Sequence, residues 1–311
     1  MEGHQYKPGD KIDLTQFNRK TESRTPKTEE LLANLETIVE ETNEYAKTKF
    51  EINNLLNKDG SISMDGFGKK NGGPYEEAEI EKDKKEVEEI EASFARVENE
   101  TNPETRKKLI EAWSKDKLKQ KSSKVEILIT SLLHRVLKDS FIVTRTAPID
   151  DYKEGVDYIM VNPETGETIC AFDGVAENDS KENEFLVKNT EKKKKKTEKI
   201  ILKGGANIKY GIELVDGKLT RKEISNMPVF YLGISDKDFD TLMLAKNKGV
   251  GTPVTQDELN IFSKFIQSLE EQRLNLLELD LPKNSPIYKK LLSFEKTIDI
   301  LKTTLSKKST G

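Results

Sequence analysis

The sequence has few of the residues on which several classes of protein depend. There is one cysteine, Cys170, and there are two histidines, His4 and His134. A single cysteine excludes an internal disulfide and a cysteine-based zinc site, and two histidines leave little room for histidine-rich metal sites. The chain also lacks a Walker loop and the G-x-G-x-x-G, G-x-S-x-G and H-E-x-x-H motifs. Kinase, dehydrogenase and serine-hydrolase activities therefore have no support in the sequence.

Apolar residues are scarce as well. They make up 34% of the chain, whereas 35% of the residues are charged; an ordinary globular chain has roughly 25% charged residues. No run approaches the roughly 18 consecutive apolar residues of a membrane-spanning helix. The amino-terminal residues lack the apolar centre of a signal peptide. We therefore expect a cytoplasmic protein with one modest core and no membrane association.

Charge is nearly balanced overall but is clustered locally. The 52 basic and 56 acidic residues leave a net charge of −4. Residues 76–91 contain nine acids and three lysines, which predicts a solvated helix face or one strand of a coiled coil. Residues 188–203 contain eight lysines and two glutamates. Clustered lysines release counterions from a phosphate backbone, so this run predicts either contact with nucleic acid or a solvated helix face.

The pattern of residues divides the chain into four parts. Residues 1–28 show little periodicity and are predicted to be a flexible arm. Residues 29–121 have helical spacing of apolar residues, interrupted by a glycine-rich loop at 57–74. Residues 122–248 have the composition of an α/β core. Residues 253–311 carry two apolar stripes, which predict a C-terminal helical hairpin.

Acidic residues flank two neighbouring strands of the predicted core. A buried helix is predicted at 122–137, and strand-like runs lie at 141–146, 156–161, 168–172 and 228–234, with a further hairpin predicted from 206–214 and 218–221. Asp157 lies near the start of the second run, and Asp173 follows the third. Because a hairpin joins these runs, the two carboxylates are expected to lie close together, and a divalent cation would relieve their repulsion. Oxygen ligands suit Mg²⁺ or Mn²⁺, so Asp157 and Asp173 are the predicted metal ligands.

This order of elements and acids resembles the PD-(D/E)XK phosphodiesterase superfamily, to which many restriction and repair nucleases belong. The resemblance covers residues 122–235 but not the flanking helices, and it implies an α+β or α/β fold with a mixed-sheet core. The apolar periodicity on either side predicts that long N- and C-terminal helices flank this core. The family places an acid on the second strand and an acid-x-lysine on the third, which Asp157 and Asp173 match. Many members also carry an acid on the first helix, which Glu126 matches. Val175 stands where the lysine belongs, but some members carry that lysine on the following helix.

The resemblance implies a hydrolase that cleaves nucleic-acid phosphodiester bonds with Mg²⁺ or Mn²⁺. Its predicted catalytic residues are Glu126, Asp157, Asp173 and a lysine of the following helix, with Lys188 as the first candidate. The predicted nucleic-acid-binding residues are Lys192, Lys193, Lys194, Lys195 and Lys196. The alternative is a non-catalytic interaction or scaffold protein, with a degenerate nuclease-like core and helical arms that self-associate or bind a protein partner.

Simpler roles are open for several of these residues. Asp150 and Asp151 precede Gly155 in a predicted loop, where aspartate commonly bonds nearby backbone amides. Glu126 also suits the first turn of its helix, where a carboxylate favours the helix dipole. Cys170 is expected to be a buried, inert thiol, and His134 a histidine at the edge of the core.

Overall fold

The computed structural model of the chain describes residues 26–138, 140–162, 166, 168–176, 184–246 and 253–309. Most of the predicted flexible arm therefore lies outside the described residues. The described residues form a mixed α and β fold with a small mixed sheet, as the sequence predicts. Within these ranges, no helix combines the length and the apolar character needed to cross a membrane.

Long helices precede and follow the strands. The helices are α1 Pro26–Phe50, α2 Glu77–Phe94, α3 Pro103–Lys117, α4 Lys121–Leu137, α5 Pro148–Glu154, α6 Glu184–Leu202, α7 Asp236–Lys246, α8 Gln256–Leu277 and α9 Pro286–Ser309. The strands are β1 Ile142–Arg145, β2 Tyr158–Val161, β3 Thr168–Ala176, β4 Ala206–Val215, β5 Lys218–Met227 and β6 Val229–Ile234.

Four of the strands form the central sheet, in the order β1-β2-β3-β6. The first three make an antiparallel meander, and β6 lies parallel to β3. A parallel neighbour requires a crossover connection, which here contains α6 and the separate β4–β5 hairpin. The predicted order of helix, three strands, helix and further strand is therefore present, with the short helix α5 inserted between β1 and β2 and the hairpin inserted before the last strand.

Helix α4 is the central helix of the core, because its sequence is apolar on most sides. It packs against β1 and β3, and Leu128, Ile129 and Leu132 are completely buried. The terminal helices extend the same core. Helix α1 packs against α4, and α9 packs against α8, α4 and β3. Helices that precede the strands and helices that follow them thus share one continuous hydrophobic core with the sheet.

The glycine-rich segment 57–74 is a loop, as predicted, but it is packed against the core. Ile62 and Phe67 are completely buried, and the Ile62 amide donates a hydrogen bond to the carbonyl of Arg145 on β1. At Gly73, a Cβ atom would lie only 2.1 Å from the Phe67 carbonyl oxygen. The apolar residues therefore anchor this loop, and one of its glycines permits a close approach of two backbone segments.

Candidate functional site

The pairing of β2 with β3 brings Asp157 and Asp173 to the same end of the sheet. Tyr158 pairs with Phe172, so the Asp157 amide donates to the Phe172 carbonyl at 2.8 Å. The Asp157 carboxylate in turn accepts a 2.6 Å hydrogen bond from the amide of Gly174, the residue after Asp173. A Cβ atom at Gly174 would lie 3.3 Å from that carboxylate oxygen. The hairpin therefore places these two acids together, as the sequence predicts.

Two further carboxylates belong to the same cluster. Burial raises the pKa of Asp157 well above its usual value, and the charges of Asp173, Asp151 and Glu126 raise it further. Burial also raises the pKa of Asp151, to which the charge of Glu126 adds. We call Glu126, Asp151, Asp157 and Asp173 the acid cluster. Its members come from α4, α5, β3 and the segment that leads into β2.

Asp151 is the member for which the sequence prediction was incomplete. Its segment was expected to be a loop, but residues Pro148–Glu154 form the short helix α5. Proline suits the first turn of a helix, since the missing N–H group has no partner there. Gly155 ends the helix in the left-handed conformation, with φ of 65°. The helix directs Asp151 to the cluster, whereas Asp150 accepts the amide hydrogens of Lys209 and Tyr210 on β4.

Arg145 holds the side chain of Glu126 through an ion pair. Its carboxylate lies 2.8 Å from a guanidinium nitrogen of Arg145 on β1, and both side chains are largely buried. Arg145 also donates to the carbonyl of Asp59 in the packed loop. Because α4 begins at Lys121, Glu126 lies beyond the first turn and does not cap the helix. Arg145 therefore positions Glu126 and offsets part of the cluster's negative charge.

The lysine run of α6 is divided between two faces of the helix. Lys193 donates to both oxygens of Asp173, at 2.6 and 2.7 Å. Lys196, three residues later, donates to one Asp173 oxygen at 3.1 Å and to the Gly155 carbonyl at 3.2 Å. Lys192, Lys194 and Lys195 are exposed.

This division changes two of the predicted roles. Lys193 and Lys196 contact the acid cluster, although both were expected to contact nucleic acid. Lys193 and Lys196 are the described lysines bonded to the predicted catalytic acid Asp173, whereas the side chain of Lys188, the first candidate, lies outside the described residues. No described lysine follows Asp173 by two residues, since Val175 stands there.

The donor set suits a hard divalent cation, but the cation would compete with lysine. All four groups of the acid cluster offer carboxylate oxygens, the ligands that Mg²⁺ and Mn²⁺ prefer. A cation would also relieve the unfavourable charge of Asp157. In the described part of the chain, however, no group of three or more Asp, Glu, His or Cys side chains is arranged as a metal-binding set. Both oxygens of Asp173 are bonded to lysine, so a cation at Asp173 would displace Lys193.

A group of aromatic side chains adjoins the acid cluster through Tyr152, whose pKa burial raises and the charge of Asp151 raises further, and the sequence analysis missed this group. The ring of Phe94 stacks on Trp113, with centroids 5.9 Å apart, and contacts Tyr152 edge-on at 5.8 Å. Tyr152 is the neighbour of Asp151 in α5. Phe94 is 55% exposed, and the ammonium group of Lys117 lies 5.5 Å from the Trp113 ring centroid. We call Phe94, Trp113 and Tyr152 the aromatic shelf.

The remaining candidates have structural surroundings. His134 is buried and lies 3.1 Å from a carboxylate oxygen of Glu41, as expected for a histidine at the edge of the core. The side chain of Cys170 lies outside the described residues.

No family model, curated protein or solved structure matches the chain. Its function therefore has to be inferred from the chemistry of the acid cluster and its surroundings.

Proposed function

We propose that this protein is a metal-dependent nucleic-acid phosphodiesterase of the PD-(D/E)XK type. One observation carries the proposal: Asp173 on β3 lies beside Asp157, which directly precedes the paired strand β2, and Lys193 of the following helix is bonded to Asp173. An acid on each of two adjacent strands with a nearby lysine is the arrangement that the family resemblance predicts. The family pattern places a lysine on the strand at position 175, where this chain has valine. Lys193 would supply that positive charge from α6 instead.

The topology of the central sheet supports the same proposal. A buried helix, an antiparallel meander, a second helix and a strand parallel to β3 follow one another in the predicted order. Asp173 lies on β3, and Asp157 directly precedes β2. These two strands are the central ones of the sheet. Glu126 lies on the buried helix, within electrostatic reach of Asp157.

Each group of the site would have a distinct task in phosphodiester cleavage. Asp157 and Asp173 would hold Mg²⁺ or Mn²⁺, which when bound polarises a phosphodiester and lowers the pKa of an attacking water. Lys193, released from Asp173, would steady the negative charge that develops on the phosphate. Arg145 keeps Glu126 in position beside Asp157 and Asp151. Lys196, tied to Gly155, would hold α6 against the strands.

The surroundings of the acid cluster support nucleic acid as the substrate. The exposed lysines Lys192, Lys194 and Lys195 lie on the helix that carries Lys193 and can neutralise backbone phosphates. The aromatic shelf offers the exposed ring of Phe94 to an unpaired base, and stacking of bases on aromatic side chains is typical of single-strand binding. Phosphate contacts and base stacking are therefore both available beside the acids.

Replacing Phe94 by alanine is expected to weaken the binding of a single-stranded oligonucleotide by about 1–3 kcal/mol, the usual value for one stacked base. Fluorescence anisotropy with a labelled oligonucleotide measures the change. Tyr45→Ala is a matched control, because Tyr45 is an exposed aromatic residue of a different pair, with Phe50. Equal affinities for the wild type and Phe94→Ala would remove the aromatic shelf from the binding surface.

A divalent-cation titration tests the metal site directly. A ligand that binds only the folded state raises the free energy of unfolding by about 2.7 kcal/mol when its concentration is about 100 times its Kd. We expect Mn²⁺ or Mg²⁺ to stabilise the wild type and Asp240→Asn, an exposed control, but not Asp173→Asn. Thermal unfolding with and without EDTA measures the effect. Equal stabilisation of Asp173→Asn would place the cation elsewhere.

A non-catalytic role is the second candidate, and one observation favours it. The two lysines already satisfy both oxygens of Asp173, so a site of this kind can be stable without a metal. A degenerate core would then bind nucleic acid or a protein partner without cutting. Salt-sensitive binding of nucleic acid that is unaffected by EDTA, with no cleavage in any divalent cation, would support this second candidate over the first.

A further inference from the structure

A polar cleft, separate from the acid cluster, lies between the packed loop and the β4–β5 hairpin. It has a volume of about 830 Å³, within the range of small-molecule sites. Its walls come from residues 51–72 and from residues 218–221 near the tip of the hairpin. None of the acid cluster, the aromatic shelf or the lysines of α6 lines this cleft. The residues that line it therefore need an explanation that is separate from the proposed nuclease site.

Arg221 is the central cation of this cleft. One terminal nitrogen of its guanidinium donates to the Asn53 carbonyl at 3.1 Å, and the group lies 5.8 Å from the Phe67 ring centroid. The Nε atom is buried without a hydrogen-bond partner. Among the described residues, no carboxylate forms an ion pair with Arg221. Burial accordingly lowers the pKa of its guanidinium.

The loop is shaped to receive this guanidinium. At Gly66, a Cβ atom would lie 2.6 Å from a terminal nitrogen of Arg221 and 2.7 Å from its central carbon. A side chain at this position would therefore push the guanidinium away from the loop backbone. Phe67 contacts the same group. These contacts hold the guanidinium near the loop in the absence of a ligand. Binding therefore costs less conformational entropy of the Arg221 side chain.

The charge of the cleft is unbalanced. Lys58, Lys70 and Lys218 line it together with Arg221, and none of these lysines forms an ion pair with a described residue. The acids of the lining are Glu51 and Asp65, and Asp65 is already paired with Lys84 at 2.6 Å. A partly buried cation without a counter-ion is costly. An anion bound in the cleft would remove that cost.

We infer that this cleft binds a small phosphorylated ligand, whose phosphate contacts the guanidinium of Arg221 and is surrounded by Lys58, Lys70 and Lys218. Arginine binds phosphate through paired N–H donors, and such charge-assisted bonds are strong. Amide and hydroxyl groups of the lining, such as Asn57 and Thr220, can bond the rest of the ligand. The inference does not depend on the proposed nuclease activity.

The test uses inorganic phosphate, with sodium chloride added to keep the ionic strength constant. Calorimetry measures the affinity, and the Nε–H signal of Arg221 in protein labelled with ¹⁵N-arginine locates the bound anion. We expect saturable binding to the wild type and an affinity lowered by about tenfold or more in Arg221→Gln. The matched control is Lys222→Gln, because the neighbouring strand residue points to the other face and pairs with Glu213. This variant is expected to bind phosphate like the wild type.

Gly66→Ala keeps all the charges of the cleft but moves the guanidinium. We expect it to weaken phosphate binding as well, which separates a placed guanidinium from general positive charge. A response that never saturates, or equal affinity in Arg221→Gln, would overturn the inference. A mononucleotide that displaces phosphate would support it. Binding of an oligonucleotide without terminal phosphates, with no binding of phosphate or mononucleotide, would overturn a small-ligand site.

Discussion

Replacing Asp173 by asparagine is expected to lower the rate of phosphodiester cleavage by at least about a thousandfold, which corresponds to about 4 kcal/mol of transition-state stabilisation. Asparagine has nearly the shape of aspartate but lacks its charge, so it can neither hold a divalent cation firmly nor form the ion pair with Lys193. The measurement is single-turnover cleavage of labelled single- and double-stranded DNA and RNA in Mg²⁺ and in Mn²⁺. Asp240→Asn, on the exposed side of α7, should cleave at the wild-type rate.

Asp157→Asn should lose cleavage in the same way, but its effect on stability should be different. The amide oxygen of asparagine can still accept the hydrogen bond from Gly174. The change also removes a charge that burial and Asp173, Asp151 and Glu126 all disfavour, as the raised pKa of Asp157 indicates. Without metal, the variant should therefore unfold no more easily than the wild type at neutral pH.

The pH dependence of stability follows from the same raised pKa. The folded state keeps the proton of Asp157 to a higher pH than the unfolded state, so the wild type loses stability as pH rises above the unfolded value of about 3.9. Asp157→Asn lacks this loss. The stability of the variant relative to the wild type should thus increase from pH 4 to pH 7 in EDTA. A difference that shrinks over that range would contradict the charge repulsion in the acid cluster.

Part of this site could be predicted from the sequence, because hairpin geometry is local. Two strand-like runs joined by a short turn must pair, and the register then places Asp157 near Asp173. The buried helix and the later strand were predictable for a similar reason, since their apolar residues are contiguous in sequence. Where periodicity and short-range pairing decide the structure, the residues themselves carry the information.

Other parts depend on how distant elements pack together. Asp151 belongs to the acid cluster because α5 turns it towards α4, but a run of seven residues that begins with proline and contains two aspartates also suits a turn. Arg145 meets Glu126 through packing of β1 against α4. The cleft around Arg221 is formed by segments that are distant in sequence, as the hydrogen bond between Arg221 and Asn53, 168 residues apart, shows. No pattern within one segment predicts such contacts.

The choice of lysine illustrates the same limit within one helix. Five consecutive lysines are equivalent by composition, and only the rotation of α6 about its axis decides which of them faces β3. The spacing of Lys193 and Lys196 places both on one face, whereas the three others are exposed. The sequence could predict that some lysine of this helix reaches Asp173, but the packing of α6 selects Lys193 and Lys196.

Replacing Lys193 by methionine is therefore expected to have opposite effects on metal binding and on cleavage. Methionine has a similar length but no charge, so one Asp173 oxygen loses its lysine partner and the other keeps only the 3.1 Å contact with Lys196. The affinity for Mn²⁺, measured by calorimetry, should rise because the competing ammonium group is gone. Cleavage should nevertheless fall by about 10²–10³-fold, the usual cost of losing one group that stabilises developing charge.

Lys194→Met is the matched control, because it removes the same charge from the adjacent, exposed position of α6. It should leave both the Mn²⁺ affinity and the cleavage of a bound substrate close to those of the wild type. A merely structural Lys193 would change cleavage and metal affinity in the same direction, since a loosened site would bind the cation less well. Tighter metal binding with slower cleavage thus separates a lysine that acts on the phosphate from one that only holds α6 in place.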